Sequence, residues 1–267
     1  MAHFYWLSHR RYIEDGRMRW HAEQADEAFW AGYWRERVTP AYFRKAADAD
    51  PAADEMGQIL LAEMPIEGRH LEAGCGAGYW VAALRAAARD VEGIEYARDL
   101  VELVNEVCPE LPVRYGDALA IDCLDNTYAS YLSFGVVEHR QTGPEPFLAE
   151  AYRVLTPGGK LIITVPYLGP VRRLRARLGR YEATQPAPPF FQYGFRSGEF
   201  AGLVAGAGFV VEATRPLFFH RMLLEENAAY RWLYDRRYGV LWRRALSGLF
   251  DGRDGHMLMV IAHKPAG

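Results

Sequence analysis

From residue 68 onward, short apolar runs alternate with longer stretches in which apolar positions recur every three or four residues. Short continuous runs suit strands buried on both faces, and the longer periodicity suits helices laid against them. The order therefore predicts βαβ units and a parallel sheet with helices on both sides. Strands are expected at 69–73, 91–95, 113–115, 128–134, 160–165 and 209–213, with helices at 77–88, 97–107, 146–155 and 197–207. The sharpest punctuation is Pro157-Gly158-Gly159. Proline cannot continue a helix and glycine accepts the left-handed geometry that ends one, so a strand should follow.

Residues 20–64 read as a helical lead-in, with Phe29, Trp30, Tyr33 and Trp34 at helical spacing and Pro40 and Pro51 as punctuation. These aromatics suit core packing, with one or two placed to close over a bound ligand. Residues 180–193, where Pro186, Pro188 and Pro189 stand beside Phe190, Phe191 and Tyr193, predict a stiffened aromatic loop over the sheet. A last helical segment at 221–250 precedes a closing strand at 257–263. The chain of 267 residues, 50% hydrophobic, is long enough for one core, and no internal repeat divides it. It is read as a single domain: lead-in or cap at 1–66, core at 67–214, helical insertion and closing strand at 215–267.

A net charge of −3 gives no global attraction to polyanions, which weighs against nucleic acid as partner. Local charge is another matter. Arg172, Arg173, Arg175, Arg177 and Arg180 interleave with Val171, Leu174 and Leu178, predicting a helix with an apolar stripe beneath a basic face. A solvated face, a site for an acidic substrate and contact with an anionic membrane surface all fit that pattern. Cys75, Cys108 and Cys123 are too few and scattered for a disulfide framework or a zinc site, so no metal is expected and a reducing cytoplasm is the natural setting. Residues 1–12 lack the apolar stretch of a signal peptide, and nothing later approaches a membrane span.

The chemistry concentrates in His70-Leu71-Glu72-Ala73-Gly74-Cys75-Gly76-Ala77-Gly78, a strand running into glycines at alternate positions and then a helix. Such glycines let the backbone turn tightly and approach a ligand. A dinucleotide fingerprint needs a third small residue where Tyr79 stands, and Glu72 would repel a pyrophosphate. A P-loop is excluded, because no lysine followed by serine or threonine closes the glycine run. The loop fits a cationic ligand without phosphate. Cys75 reads as a small loop filler rather than a nucleophile.

At this point the sequence resembles the class I S-adenosylmethionine-dependent methyltransferases, especially the bacterial group acting on small molecules, from about Gly68 to Phe209. Four motifs match in order. Glu72, Gly74, Cys75, Gly76 and Gly78 form the family's first motif, which by resemblance lines the methionine end of the cofactor. Glu95, with Tyr96 beside it, stands where the family places an acid that accepts both ribose hydroxyls. Asp117 and Ala118 follow the third strand, where the resemblance implies contacts to the adenine amino group and ring. The fourth match, Ser133-Phe134-Gly135-Val136-Val137-Glu138-His139, leads on to the family's turn at Leu155, Pro157, Gly158 and Gly159; Phe134 and Gly135 join the cofactor set. The implied fold is a Rossmann-like doubly wound sheet, mostly parallel, with an antiparallel last strand. The implied activity is methyl transfer from S-adenosylmethionine, leaving S-adenosylhomocysteine, to an oxygen, nitrogen or carbon of a small molecule.

His139 stands just past the fourth strand, where the family's methyl group and acceptor meet, and is the candidate general base; a positioning or structural role is the alternative. Tyr193 is the second catalytic candidate, set against packing in a lid. Glu138 either orients His139 or caps the following turn. The family's base-amine methylating enzymes carry an Asn- or Asp-Pro-Pro-aromatic motif after the fourth strand, and Ser133-Phe134-Gly135-Val136 departs from it. Two other functions stay open: a non-catalytic binder of the same cofactor serving as partner or regulator, and, disfavoured by Glu72 and Tyr79, a nicotinamide-dependent dehydrogenase.

Overall fold

The computed structural model describes residues 10–23, 26–35, 37–234, 246 and 252–266. Its strands are β1 (Arg10–Glu14), β2 (Arg17–His21), β3 (Arg69–Ala73), β4 (Asp90–Glu95), β5 (Val113–Tyr115), β6 (Tyr128–Phe134), β7 (Leu155–Pro166), β8 (Phe190–Gly194), β9 (Val210–Leu217) and β10 (Met257–His263). The helices are α1 (Glu27–Arg35), α2 (Pro40–Ala47), α3 (Glu55–Glu63), α4 (Tyr79–Ala86), α5 (Arg98–Val107), α6 (Glu145–Val154), α7 (Pro170–Arg177), α8 (Ser197–Gly206), α9 (Phe219–Glu226) and α10 (Ala228–Tyr234).

Seven strands form the main sheet in the order β5-β4-β3-β6-β7-β10-β9. β5 through β7 run parallel, and β10 is antiparallel to both of its neighbours, as the resemblance implied. Alternate residues of each strand feed the two core layers. Leu132, Ile162 and Met259 face the layer of α4 and α5, with Val81, Leu84, Leu100 and Val104. Tyr131, Leu161 and Val260 face the layer of α6 and α8, with Leu148, Ala151, Phe200 and Val204. Burial on both faces is why these strands read as continuous apolar runs. Successive strands move outward from β3 in opposite directions, to β4 and β5 on one side and to β6 and β7 on the other. The resulting switch point between β3 and β6 opens a crevice at the strands' carboxyl ends.

Three expectations are corrected. The lead-in is helical only from Glu27: Trp20 lies in β2, which pairs with β1 through a turn at Asp15 and Gly16, both at positive φ (50° and 79°). Second, the loop expected at 180–193 ends in a strand, β8, which pairs antiparallel with β2 and makes a three-stranded accessory sheet. Third, α7 is oriented opposite to the expected stripe. Arg172 is wholly buried, whereas Leu174 and Leu178 are 55% and 62% exposed. Helix α6 ends at Val154, before the Pro-Gly-Gly turn, which lies within β7 and is tied to the end of β10 by Gly158 N to Lys264 O at 2.8 Å and Lys264 N to Gly159 O at 3.0 Å. The final helical segment is α9 and α10 as far as Tyr234; most of 235–251 lies outside the described residues.

Arg172 is inside because every part of its guanidinium has a partner. It donates to Glu226 at 2.9 Å, Glu225 at 2.7 Å, and the carbonyls of Tyr167 and His256 at 2.7 and 3.1 Å. Arg11 from β1 and Tyr181 also donate to Glu226, at 2.5 and 3.0 Å. Burial opposes ionisation of Glu226, but Arg11 and Arg172 outweigh it and hold the carboxyl below its usual range. The cluster joins α7, α9, the accessory sheet and the approach to β10 through charges that are stable only together. Arg172→Met, which removes the only arginine pairing with buried Glu225 among the described residues and one of those on Glu226, should therefore lower unfolding free energy by about 3–5 kcal/mol in urea titration; a loss below about 1 kcal/mol would contradict this reading.

Candidate active site

The loop after β3 is shaped by glycines at positive φ: Gly74 at 74°, Gly76 at 53° and Gly78 at 72°. The chain folds back over β4, where the amides of Gly74 and Cys75 both donate to Ile94 O at 2.9 and 3.0 Å. Space imposes the same choice as conformation. A Cβ on Gly74 would meet Val136 at 2.5 Å, and one on Gly76 would meet the Trp34 indole at 2.9 Å. The loop is thus held between the exit of β6 and the aromatic face of α1.

Glu95, at the carboxyl end of β4 and 5% exposed, fastens this loop from below. One carboxylate oxygen accepts from Gly76 N at 2.9 Å and the other from Ala97 N at 3.0 Å. Burial pushes its pKa up while these amides pull it back. Glu72 is also buried, and its Oε2 has no hydrogen-bond partner. Burial raises it to about 8 against the opposing Val81 amide, and also pushes the Cys75 thiol up.

Asp117 is exposed just past β5 and accepts from Leu119 N at 2.8 Å, while Ala118 is buried behind it. Tyr96 is 36% exposed beside Glu95. Phe134 ends β6 with its ring 6.3 Å from Trp80, and Gly135 follows at φ 73°. Every predicted cofactor residue therefore lies at or just past the carboxyl ends of β3, β4, β5 and β6, on one edge of the sheet.

His139 ends a short 3-10 turn after β6, with Nδ1 2.8 Å from Phe191 O. A carbonyl only accepts, so Nδ1 carries the proton in this contact, and Nε2 is the nitrogen that changes protonation. Trp30 and Phe191 meet the imidazole edge-on, with centroids 5.2 and 4.9 Å away. Tyr193 stands apart from this arrangement: it is 4% exposed, packs on Phe190 and Phe195, and its hydroxyl donates to Gln141 O at 2.8 Å. Sequence reasoning missed the Phe191 carbonyl, because β8 was read as a loop. Among the described residues, no cluster of three or more His, Cys, Asp or Glu is arranged to hold a metal. A hollow of about 410 Å³ lined by Arg69, Glu92, Arg114 and Tyr128 lies near the amino ends of β3 and β6, away from the glycine loop, and Arg69 and Glu92 already pair there at 3.0 Å.

Residues 71–163 match the family model described as a methyltransferase domain. A Mycolicibacterium smegmatis protein named "Probable S-adenosylmethionine-dependent methyltransferase" is 31% identical over 160 residues, 60% of this chain and 59% of that relative. The match thus spans little more than half the relative's length. Among solved structures, a chain from a Haloferax volcanii complex of a methyltransferase activator with a methyltransferase superposes with TM-score 0.58 at 16% identity, covering 91% of this chain and 98% of its own. An S-adenosylmethionine-dependent methyltransferase from Mesorhizobium loti gives 0.53 at 14% identity, covering 82% and 100%. At these identities the structural likeness carries the fold alone. Among the described residues, no helix is long and apolar enough to cross a membrane.

Glu138, beside His139, is 1% exposed with Oε2 unpartnered, and burial raises it to about 8. Glu72 and Glu138 thus both sit above their ordinary 4.5 when folded. Protons bound to them stabilise the fold fully below the unfolded value, and this contribution is lost as pH rises through about 8. Urea titrations should show stability falling between about pH 5 and about pH 9, and Glu138→Gln, which stays neutral, should make the fall shallower; an unchanged slope would remove Glu138 from this account.

Proposed function

We propose that the protein transfers the methyl group of S-adenosylmethionine to a small-molecule acceptor by in-line displacement, with His139 taking the acceptor's proton. The observation that carries this reading is the pair of buried acids beside the glycine loop. Two buried carboxyls, Glu72 and Glu95, abut a loop at 74–78 that has no cationic side chain. A pyrophosphate there would face two acids and no cation, whereas an ammonium answers Glu72 and hydroxyl donors answer Glu95. The positive-φ glycines supply the close backbone approach that such a ligand needs.

When bound, S-adenosylmethionine supplies an electrophilic methyl carbon on a sulfonium. The protein's own work is then positioning, exclusion of water and proton removal. Glu95 keeps the Gly76 amide fixed, so the loop is organised before the ligand arrives. Trp34 covers Gly76, and Trp30 and Phe191 wall the imidazole, leaving an apolar surrounding for the acceptor. The Phe191 carbonyl fixes the tautomer in which His139 Nε2 receives a proton from a hydroxyl or carbon acid. Tyr193, committed to Gln141 O, contributes through the packing of β8.

Two experiments test this. Calorimetry at pH 7 should show binding of S-adenosylmethionine and S-adenosylhomocysteine but not of NADH, with proton release to the buffer, because a neighbouring cation lowers the Glu72 pKa from about 8. NADH binding without response to the sulfonium ligand would overturn the cofactor assignment. In a labelled-methyl assay over small-molecule extracts, His139→Ala should lower kcat by about 100- to 10,000-fold while cofactor affinity stays as in the parent; full turnover by this variant would exclude His139 as the base.

A further inference from the structure

Helix α7 carries its charge inward and its leucines outward. Arg172 and Arg175 point to Glu225 and Glu226, with Arg175 Nε 2.9 Å from Glu226. At 100° per residue, Arg173, Leu174, Arg177 and Leu178 then share the opposite face, and all four are exposed. Arg180, just past the helix, is exposed as well. The buried cluster around Arg172 sets the rotation of the helix, so the leucines cannot turn inward without breaking it.

The outward face is positive as well as apolar. Arg173, Arg177 and Arg180 make no ion pair among the described residues, while the nearby Glu182 is 3.6 Å from Arg10. Arginines beside exposed leucines match the two layers of an anionic bilayer surface, where guanidinium groups meet headgroup phosphates and leucine side chains enter the acyl boundary. A polyanion such as RNA answers the arginines but leaves the leucines in water.

We propose that α7 is a docking face for an anionic lipid surface, engaged through Arg173, Leu174, Arg177, Leu178 and Arg180. The helix begins at Pro170, shortly after the carboxyl end of β7, so docking holds the crevice end of the sheet toward the lipid. Attachment through one short helix is reversible and salt-sensitive.

Vesicle sedimentation tests the proposal with the full chain. Phosphatidylglycerol vesicles should carry the protein into the pellet at low salt, and phosphatidylcholine vesicles should not. R173Q/R177Q/R180Q should weaken partitioning on the order of 100-fold, about 1 kcal/mol per arginine, and L174S/L178S should weaken it about tenfold or more. Unchanged thermal unfolding of both variants establishes that the fold is intact. No pelleting with phosphatidylglycerol, equal pelleting with both lipids, or variants that bind like the parent would each overturn the proposal. So would a dimer in analytical ultracentrifugation that L174S/L178S dissolves, since the face would then belong to a second copy.

Discussion

The Glu95 carboxylate is divided between two backbone amides, Gly76 in the loop after β3 and Ala97 at the start of α5. This one side chain ties the carboxyl end of β4 to both flanking loops, and the rest of the crevice is arranged around it. With Gly76 fixed, the loop keeps its left-handed glycines, α4 begins at Tyr79, and Trp34 has a flat backbone to rest on. The bond is strong because it lies out of water, where a charge-assisted hydrogen bond has little competition.

Buried acids serve two opposite purposes here. Glu225 and Glu226 lie among Arg11, Arg172 and Arg175, and this closed set of charges joins elements that apolar packing alone would leave loosely connected. Glu72 and Glu138 are buried without such partners, and the result is raised affinity for protons. Compensated charge holds the accessory elements together; buried acids without a cation, held largely protonated, collect at the crevice, where a cationic ligand can ionise them.

The main sheet was legible because each strand is buried on both faces and closed by its own punctuation, so the information is local. The strand-end positions of the candidate cofactor residues were legible for the same reason: glycine spacing, Glu95 and Asp117 all sit at strand ends that the pattern marks. The accessory sheet was not, because β2 and β8 pair across 170 residues and Pro186, Pro188 and Pro189 make the second partner read as a loop. That misreading also hid the carbonyl that orients His139. The orientation of α7 failed on an assumption that is usually sound, that leucines face inward; what overrides it is a pair of acids more than 50 residues downstream.

Trp30 and Trp34 stand one turn apart on α1, the first against His139 and the second over Gly76. α1 is in turn pinned to α5, where Arg98 N donates to Glu27 at 2.9 Å. A single helix therefore covers both compartments of the crevice, and any displacement that frees one ligand loosens the cover of the other. In the proposed reaction the two ligands would therefore share one cover, built from a single helix rather than from two separate elements.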